Sequence, residues 1–252
     1  MKLNNDMYDP VQDGMEKDTQ SLTYKHTKPP SALSTLVHSY WELKTEEPLA
    51  DDFFLHALPD ACVNILFNQQ NTRIAGVTAL RTTYEVLNLG KDFHYAGIQF
   101  FPGVWHGDLK ETADSFVGTP YLGGLPLVET NKALAKVEFL AKQPVLSALV
   151  SQLIECKLVA VNLIVQQILS NLDSIHNVAD MAAITRLSTR QLQRNLKKST
   201  GFSPHDFLKV IRLQQSFKKH YLDAYTDQSH FIHSFRKITG YTPAEYYRKY
   251  DV

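Results

Sequence analysis

The sequence predicts an α+β protein, with a β-rich barrel-like or sandwich-like domain first and an all-α module after it. Between residues 30 and 130, Pro, Gly, Asn and Asp interrupt short apolar runs at small intervals, as they do in β domains. From about residue 131, apolar residues recur at helical spacing. Near the end, the segment that begins at Ser188 aligns without a gap with the segment that begins at Asp227. Such a repeat indicates one structural unit used twice.

Length and composition fit one large or two modest domains in a reducing compartment. The chain has 252 residues, of which 44% are hydrophobic, enough for ordinary cores. Cys62 and Cys156 form neither a disulfide framework nor a metal-binding spacing, which favours the cytosol. The sequence shows no apolar leader and no run of transmembrane length, so it predicts a cytoplasmic protein with no membrane partner.

Four segments are predicted along the chain. Residues 1–22 are polar and predict a flexible tail. Residues 23–130 are predicted to form the β-rich domain, residues 131–157 linking helices, and residues 158–252 the helical module. The predicted strands are His38–Leu43, Val63–Asn68, Arg81–Asn88 and Tyr95–Phe101.

The linking helices are predicted to break at Gln143–Pro144, because proline lacks the N–H that a helix interior needs. Apolar residues such as Leu134 and Leu146 form a stripe on either side of this break. That stripe suits packing on the β domain or a dimer surface. Val159–Leu172 is predicted to be the first helix of the C-terminal module.

Charge is divided unevenly between the two halves. Residues 171–252 contain 13 Lys and Arg against 7 Asp and Glu, whereas residues 1–170 contain 13 against 19. The neutral total therefore conceals a basic C-terminal module and an acidic remainder. This asymmetry favours a polyanionic partner for the C-terminal module, although surface charge also fluctuates without function.

The first copy of the repeat predicts a helix-turn-helix. Val178–Ile184 forms a short helix, and a second helix begins at Ser188, with Gln191 placed to complete a capping box. Leu192 and Leu196 share the inner face. In this motif the second helix enters the major groove of DNA. The predicted DNA contacts of this helix are Ser188, Thr189, Arg190, Gln193, Arg194, Lys197 and Lys198.

The outward side chains suit the reading of duplex DNA. Arginine can bond guanine in a bidentate way, and glutamine can do the same with adenine, at about 1–3 kcal/mol of discrimination per pair. Lys197 and Lys198 are better suited to phosphate, which adds affinity without sequence information. The alternative is a solvated helix face, since exposed Arg and Gln are common.

The second copy is predicted to read DNA less strongly. His233 stands where the first copy has Arg194, and Ile232 stands where it has Gln193. A neutral histidine adds little attraction for phosphate. The predicted contacts of the second helix are Gln228, Ser229, His233 and Arg236.

The repeated segments resemble the DNA-binding region of AraC/XylS-type bacterial transcription regulators. The resemblance rests on STRQLQRNLKKSTGFSP and DQSHFIHSFRKITGYTPAEYYRKY, and it covers about residues 158–250. The segments YWELK, LPDACVNILFN and AGIQFFPGVW are similar to the small β domain that precedes this module in one branch of the family. The resemblance implies two helix-turn-helix units joined by a long helix, with recognition helices about 34 Å apart in successive major grooves.

This chain departs from the family pattern in both units. Only Leu213–Thr226 separates the two copies, so the scaffold helix of the second unit is expected to be missing. Ala224–Tyr225 retains the turn into the second DNA-reading helix. Without a scaffold helix, that helix would pack against the connecting helix, against Tyr221 and Leu222, or against a partner chain. In the first unit, Arg186 occupies a turn position where glycine is expected, and Thr185 one where an apolar residue is expected.

The resemblance implies a sequence-specific DNA-binding transcription regulator. Its expected partners are double-stranded operator DNA, a small-molecule effector held by the β domain, a second copy in a homodimer, and RNA polymerase. No cofactor and no metal are implied. Aromatic residues could line an effector pocket, although an ordinary aromatic core is favoured; they are Phe53, Phe54, Phe93, Tyr95, Phe100, Phe101 and Trp105.

Two other functions remain open from the sequence. The shortened second unit is compatible with a ligand-binding or protein-binding regulator that has lost DNA recognition. A metal-dependent β-barrel enzyme is the remote alternative, because no pair of histidines stands at a metal-binding spacing and no catalytic motif is present. The histidines considered for such a site are His38, His56, His94 and His106.

Overall fold

A computed structural model describes residues 8–17, 21–108, 118–218 and 227–251, and it has the α+β layout that the sequence predicts. The N-terminal strands are β1 (Met15–Glu16), β2 (Leu22–Thr27), β3 (Val37–Thr45), β4 (Phe53–Ala57), β5 (Asn64–Asn68), β6 (Ala75–Val77), β7 (Glu85–Gly90) and β8 (His94–Phe100). The helices are α1 (Leu127–Leu134), α2 (Phe139–Glu155), α3 (Leu163–Leu169), α4 (Val178–Thr185), α5 (Thr189–Thr200), α6 (Pro204–Ser216), α7 (Gln228–Thr239) and α8 (Pro243–Lys249), followed by strand β9 (Tyr250–Asp251).

The β domain consists of two facing antiparallel sheets, and is sandwich-like in that sense. The larger sheet has the strand order β2-β3-β8-β5-β6, and the smaller pairs β4 with β7. Strands were predicted at the positions of β3, β5 and β8. The predicted strand Arg81–Asn88 begins later, at Glu85, and β2, β4 and β6 were not predicted.

The larger sheet has one face toward helices and one toward the smaller sheet. Alternation along each strand sends Tyr40, Ile98 and Phe100 to the helical side, where all three are fully buried. The Tyr40 hydroxyl lies 2.9 Å from the Ser147 hydroxyl of α2. On the same face, Lys142 of α2 forms a buried ion pair with Glu42 of β3. Because that pair is buried, it fixes α2 on the sheet.

The predicted break at Gln143–Pro144 is wrong, because Pro144 lies inside α2. The chain interrupts the helices earlier, between Leu134 and Phe139. Pro144 is exposed, and the carbonyl group it leaves without a donor belongs to Leu140, whose side chain is 79% exposed. Water can replace the lost hydrogen bond there. The apolar stripe of α2 packs into the β-domain core, so α1 and α2 belong to that domain.

The first helix of the C-terminal module begins later than predicted. Val159 forms a β-bridge with Trp105 instead of entering a helix. The side chain of Asn162 then accepts hydrogen bonds from the N–H groups of Ile164 and Val165, which caps α3. Asn162 therefore defines the start of α3.

The N-terminal segment departs from the prediction of a flexible tail. Residues 1–7 and 18–20 lie outside the described residues, but residues 8–17 pack against both halves of the chain. Tyr8 is buried, and its hydroxyl donates to the carbonyl oxygen of Asp60 at 2.8 Å. Gly14 bridges to His56, and β1 pairs with β9. We call residues 8–17 the N-terminal strap.

The helical module has one core around its first unit and another around its second. The first core joins α3 to α6 and includes Tyr8, Ala61 and Cys62 from the N-terminal half. Residues of both halves thus share one apolar cluster. In the described part of the chain, every helix is too short or too polar to cross a bilayer.

Candidate nucleic-acid interface and ligand cavity

The repeat in the sequence is a repeat in the structure. Helices α5 and α7 each contain 12 residues, and each ends at a glycine in the left-handed conformation, with φ of 71° at Gly201 and 81° at Gly240. Ser203 and Thr242 then cap the following helices, and each precedes a proline at the first helical position. Local capping chemistry therefore fixes both units in the same way.

Helix α5 has one buried face and one exposed basic face. Leu192, Leu196 and Thr200 are fully buried against the module. The opposite side is open to solvent and carries the side chains predicted to contact DNA. These exposed residues are Ser188, Thr189, Arg190, Gln193, Arg194, Lys197 and Lys198.

Two of these residues are already engaged within the protein. Ser188 and Gln191 form the predicted capping box, in which Gln191 Oε1 accepts the Ser188 N–H at 2.9 Å. The ammonium group of Lys197 donates to the carbonyl oxygen of Gly201 at 2.7 Å, so it caps the helix end. Arg190, Gln193 and Arg194 remain as the base-reading candidates on this face.

The turn before α5 carries backbone strain. Arg186, which ends α4, has φ 54° and ψ 35° in the left-handed region, where side chains with a Cβ are disfavoured. Thr185 is buried, and its hydroxyl donates to the carbonyl oxygen of Met181 at 2.8 Å. The hydrogen bond accommodates a polar residue at this buried position.

The variant Arg186→Gly is expected to be more stable than the natural protein by about 1 kcal/mol, because glycine adopts this conformation without a Cβ penalty. Urea denaturation of the two proteins measures the difference. Arg73→Gly, at an exposed arginine of the β domain without positive φ, serves as the control and should give no gain. A lower unfolding midpoint for Arg186→Gly than for the natural protein would contradict the strain argument.

Helix α7 presents a weaker version of the α5 surface. Gln228, Ser229, His233 and Arg236 are exposed, as the prediction requires. The N-cap is Asp227, whose carboxylate accepts the His230 N–H at 2.8 Å. An anionic cap stands at the helix end that would meet DNA, whereas α5 has the neutral cap Ser188.

The β domain supports the inner face of α7. Phe231, Phe235 and Ile238 are buried in a cluster completed by Leu213 of α6 and by Leu58 of the β domain. The backbone N–H of Tyr84 donates to the carbonyl oxygen of Ile238 at 2.8 Å. The connecting helix contributes as predicted, but the β domain was not foreseen as a support. Tyr221, Leu222 and Ala224–Tyr225 lie outside the described residues.

His56 is the centre of this domain contact. It is fully buried, stacks on Tyr84 with ring centroids 4.7 Å apart, and lies next to three tyrosines of the C-terminal unit. Its Nδ1 is 3.3 Å from the hydroxyl of Tyr246. Burial lowers the pKa of His56 to about 4, so the ring is neutral at physiological pH. It therefore acts as an uncharged aromatic group in the interface.

A cavity of about 430 Å³ lies between the two sheets of the β domain. Its apolar wall comes from both sheets, and its polar end comes from the N-terminal strap and the β4–β5 connection. Of the aromatic residues predicted to line a pocket, Tyr95 does so; Phe53 and Phe93 stack on each other in the core instead. The principal apolar wall residues are Trp41, Leu43, Leu55, Leu66, Leu87, Leu89 and Tyr95.

The remaining predicted pocket aromatics do not line the cavity. Phe100 and Trp105 are buried in the core on the helical side of the larger sheet. Phe101 packs between the cores of the two halves, and Phe54 is 48% exposed. For Phe54 and Phe100, which lie in strands, alternation decides the outcome, because neighbouring residues point to opposite faces.

Two carboxylates lie at the polar end of the cavity. Asp13 accepts the Leu58 N–H at 2.8 Å, and Asp60 accepts the amide of Gln99 at 2.8 Å and the Cys62 N–H at 2.9 Å. Burial, strengthened by the negative charge of Asp60, raises the pKa of Asp13 to about 7. Burial also raises the pKa of Asp60.

The Asp13 carboxyl should make stability depend on pH. Its folded-state pKa of about 7 exceeds the usual value of 3.8, so ionisation disfavours the folded state. The resulting loss of stability begins near pH 4, grows as pH rises, and is complete above about pH 7, at up to roughly 4 kcal/mol. We expect Asp13→Asn to gain stability over the natural protein, by more at pH 8 than at pH 5.

The comparison is made by urea denaturation of both proteins at about pH 5 and about pH 8. Asp51→Asn, at an exposed carboxylate that does not line the cavity, controls for the loss of one negative charge. The argument fails if the Asp13→Asn variant gains no more at the higher pH than the Asp51→Asn control.

The four histidines considered for a metal site lie in separate environments. His38 contacts Asp9 at 2.8 Å, and His94 lies 3.0 Å from Glu42. His56 is in the aromatic interface, and His106 is 3.3 Å from the carbonyl oxygen of Ala160. Across the described ranges, no three His, Cys, Asp or Glu side chains are grouped to hold a metal ion.

The strap connects the cavity wall to the helical module. The N–H of Val11 donates to Gln214 Oε1 of α6 at 2.8 Å, and Gln214 Nε2 donates to the Pro59 carbonyl at 2.9 Å. Asp9 forms an ion pair with Lys218, just beyond the end of α6. Asp9, Val11 and Lys218 also line the cavity. A change in the cavity wall would therefore reach α6 through direct hydrogen bonds.

Comparison with known proteins gives a match for the β domain alone. Residues 25–120 match the family described as "Domain of unknown function (DUF6597)". No curated protein and no solved structure matches the chain.

Proposed function

We propose that this protein is a sequence-specific DNA-binding transcription regulator. The observation that carries the proposal is the exposed face of α5, which holds Arg190, Gln193 and Arg194 on a helix with a capped start and a buried opposite face. Rigid presentation of arginine and glutamine at the first turns of such a helix is the arrangement that reads base edges in the major groove.

The matched family supports the proposal from the other half of the chain. The DUF6597 domain is known in AraC-like regulators. The C-terminal segments resemble the DNA-binding region of that class, and the two resemblances adjoin each other in one chain. The proposed setting is bacterial transcription in the cytoplasm, with contact to RNA polymerase as part of the regulator's role.

The first unit is proposed to supply most of the sequence reading. Helix α5 has two arginines on its exposed face, whereas α7 has His233 at the equivalent place and an anionic cap at Asp227. A single strong probe covers a short site. A homodimer would place two such probes on the operator, which makes dimerisation part of the proposal.

The β domain is proposed to sense a small molecule. Its cavity has the size of an ordinary ligand pocket and combines an apolar wall with a few polar groups. The strap residues that line it also bond α6 through Gln214 and Lys218. The strap is thus part of the cavity wall and also bonded to α6. A ligand in the cavity can therefore alter the position of α6 and of the first helix-turn-helix unit.

Titration of the full-length protein against duplex DNA tests the proposal. DNA from upstream of the protein's own coding region is the first probe, followed by a footprint on the bound fragment. Each phosphate contact should contribute about 0.9 to the slope of log affinity against log salt. Protection of one groove per subunit would indicate reading by α5 alone, and protection of two successive grooves would show that α7 also enters DNA.

A protein-binding regulator that has lost DNA recognition is the second candidate. The observation that favours it is the second unit itself, whose inner face is fixed to the β domain through Leu58 and Tyr84. The affinity of such a surface for a partner protein would not depend steeply on salt concentration. Failure of every DNA fragment to give salt-sensitive binding would favour this function over the first.

A further inference from the structure

We propose that the cavity between the two sheets binds a small organic cation, a protonated amine on an apolar body, with its ammonium group at Asp13 and Asp60. The proposal starts from the charges that line the cavity. Asp9 is paired with Lys218 and with His38. Arg81 is paired with Glu85. Within the described residues, Asp13 and Asp60 have no cation at ion-pair distance. The Arg81 guanidinium attracts Asp13 only from beyond that distance.

The two carboxylates face the interior of the protein. Both line the cavity, and both are anchored by backbone N–H groups, from Leu58 to Asp13 and from Cys62 to Asp60. Each anchor fixes one oxygen in place and leaves the group able to accept further hydrogen bonds. Two neighbouring half-buried carboxylates without a cation are unfavourable, and an ammonium group would neutralise and hydrogen-bond them together.

The part of the cavity wall that the sheets form suits an apolar or aromatic body. Trp41 and Tyr95 belong to neighbouring strands and both line the wall. Trp41 lies directly over Gly97, where an added Cβ would come within 2.4 Å of the indole ring. The glycine therefore lets the indole lie flat against the sheet, which keeps the cavity open. Aromatic faces also attract organic cations.

The same charges exclude other ligand classes. An anion would add a further negative charge beside Asp13 and Asp60. The cations Lys218 and Arg81 also line the cavity, but they are already paired with Asp9 and Glu85. A neutral molecule would leave both carboxylates without a cation. Charge thus gives the selectivity, and the 430 Å³ volume limits the ligand to a small one. As the identity of an effector this inference rests on the proposed function, but as a binding site it is tested without DNA.

Calorimetric titration of the full-length protein with three matched probes tests the site. The probes are 2-phenylethylamine, the neutral 2-phenylethanol and the anionic 3-phenylpropanoate, all at about pH 8, where Asp13 is ionised and the amine remains protonated. We expect the amine to bind at least about tenfold more tightly than the alcohol, and the carboxylate more weakly still. Equal or tighter binding of the alcohol or carboxylate, or no binding of the amine, would overturn the proposal.

Three variants locate the cation. Asp13→Asn and Asp60→Asn keep an oxygen for the backbone N–H groups and should each weaken amine binding by about tenfold or more. The exposed Asp51→Asn variant should bind as the natural protein does. If circular dichroism shows that one of the two cavity variants is poorly folded, the amine affinity of the other variant tests the assignment. Amine binding that both cavity variants retain in full would overturn the assignment.

DNA titration of the same preparations separates this inference from the proposed function. DNA binding without amine binding would refute the ligand site and leave the regulator proposal intact. Amine binding without DNA binding would support the site and refute the regulator proposal. The two measurements share the protein sample but no other reagent.

Discussion

Replacement of both Arg190 and Arg194 by alanine is expected to abolish sequence-specific DNA binding. Both side chains are exposed on α5, and in the described residues neither takes part in a hydrogen bond or ion pair that would hold the fold together. Each bidentate contact with a base contributes about 1–3 kcal/mol, so loss of two should weaken operator binding by at least about thirtyfold. Fluorescence anisotropy with the operator and a scrambled duplex measures the loss.

Two variants serve as controls for the arginine pair. Arg73→Ala removes an exposed arginine from the β domain and should leave DNA affinity unchanged. His233→Ala removes the equivalent of Arg194 from α7 and should cost less than the arginine pair. If His233→Ala costs more, the second unit carries the reading and the proposed ranking of the two helices is wrong.

Replacement of Tyr246 by alanine is expected to destabilise the protein by about 3–5 kcal/mol, the range for loss of a large buried aromatic side chain. The ring is fully buried between the β domain and the second unit. It lies 5.3 Å from the ring of His56 and 5.7 Å from that of Phe235. Its removal would leave a cavity where the two halves meet, and urea denaturation measures the cost.

Tyr247→Ala provides a matched control on the same helix. Tyr247 is 40% exposed, and its loss should cost about 1 kcal/mol or less. Hydrogen exchange adds a local measurement, since α7 should lose protection in Tyr246→Ala before α5 does. Equal destabilisation by the two variants would show that the domain contact does not depend on the buried ring.

The helical units could be predicted because their signals are local. Ser188 with Gln191 forms the predicted capping box, and Thr242 with Glu245 forms another in the second unit. The glycines at 201 and 240 end their helices in the left-handed conformation. Each signal acts within a few residues, so neither a partner domain nor an alignment is needed to interpret it.

The support of α7 could not be predicted because it comes from distant residues. Tyr84 and Leu58 come from the β domain, and nothing in their local sequence indicates a partner in the last part of the chain. Tyr241, Tyr246 and Tyr250 surround His56, and the sequence does not indicate that this histidine is buried.

The existence of a pocket could be predicted from the sequence, but the residues that line it could not. Aromatic richness indicated a pocket or a core, and both are present. The residues that line the cavity depend on strand register, which places Trp41 on the cavity side and Tyr40 on the helical side. Asp13 was overlooked because it lies in a polar segment predicted to be flexible.

The pairing of β1 with β9 also has a consequence for the order in which the chain folds. It joins Met15 to Asp251, which lie far apart in the sequence. On the ribosome, the strands of the β domain can pair while Tyr250 is still untranslated. The sheet of β1 and β9 cannot form at that stage. The second unit can therefore dock only after the β domain has been made, by a contact of very high sequence separation, which is a slow kind of step. Until then the faces of His56 and Tyr84 that meet the C-terminal tyrosines are open to chaperones or to the same segment of another copy.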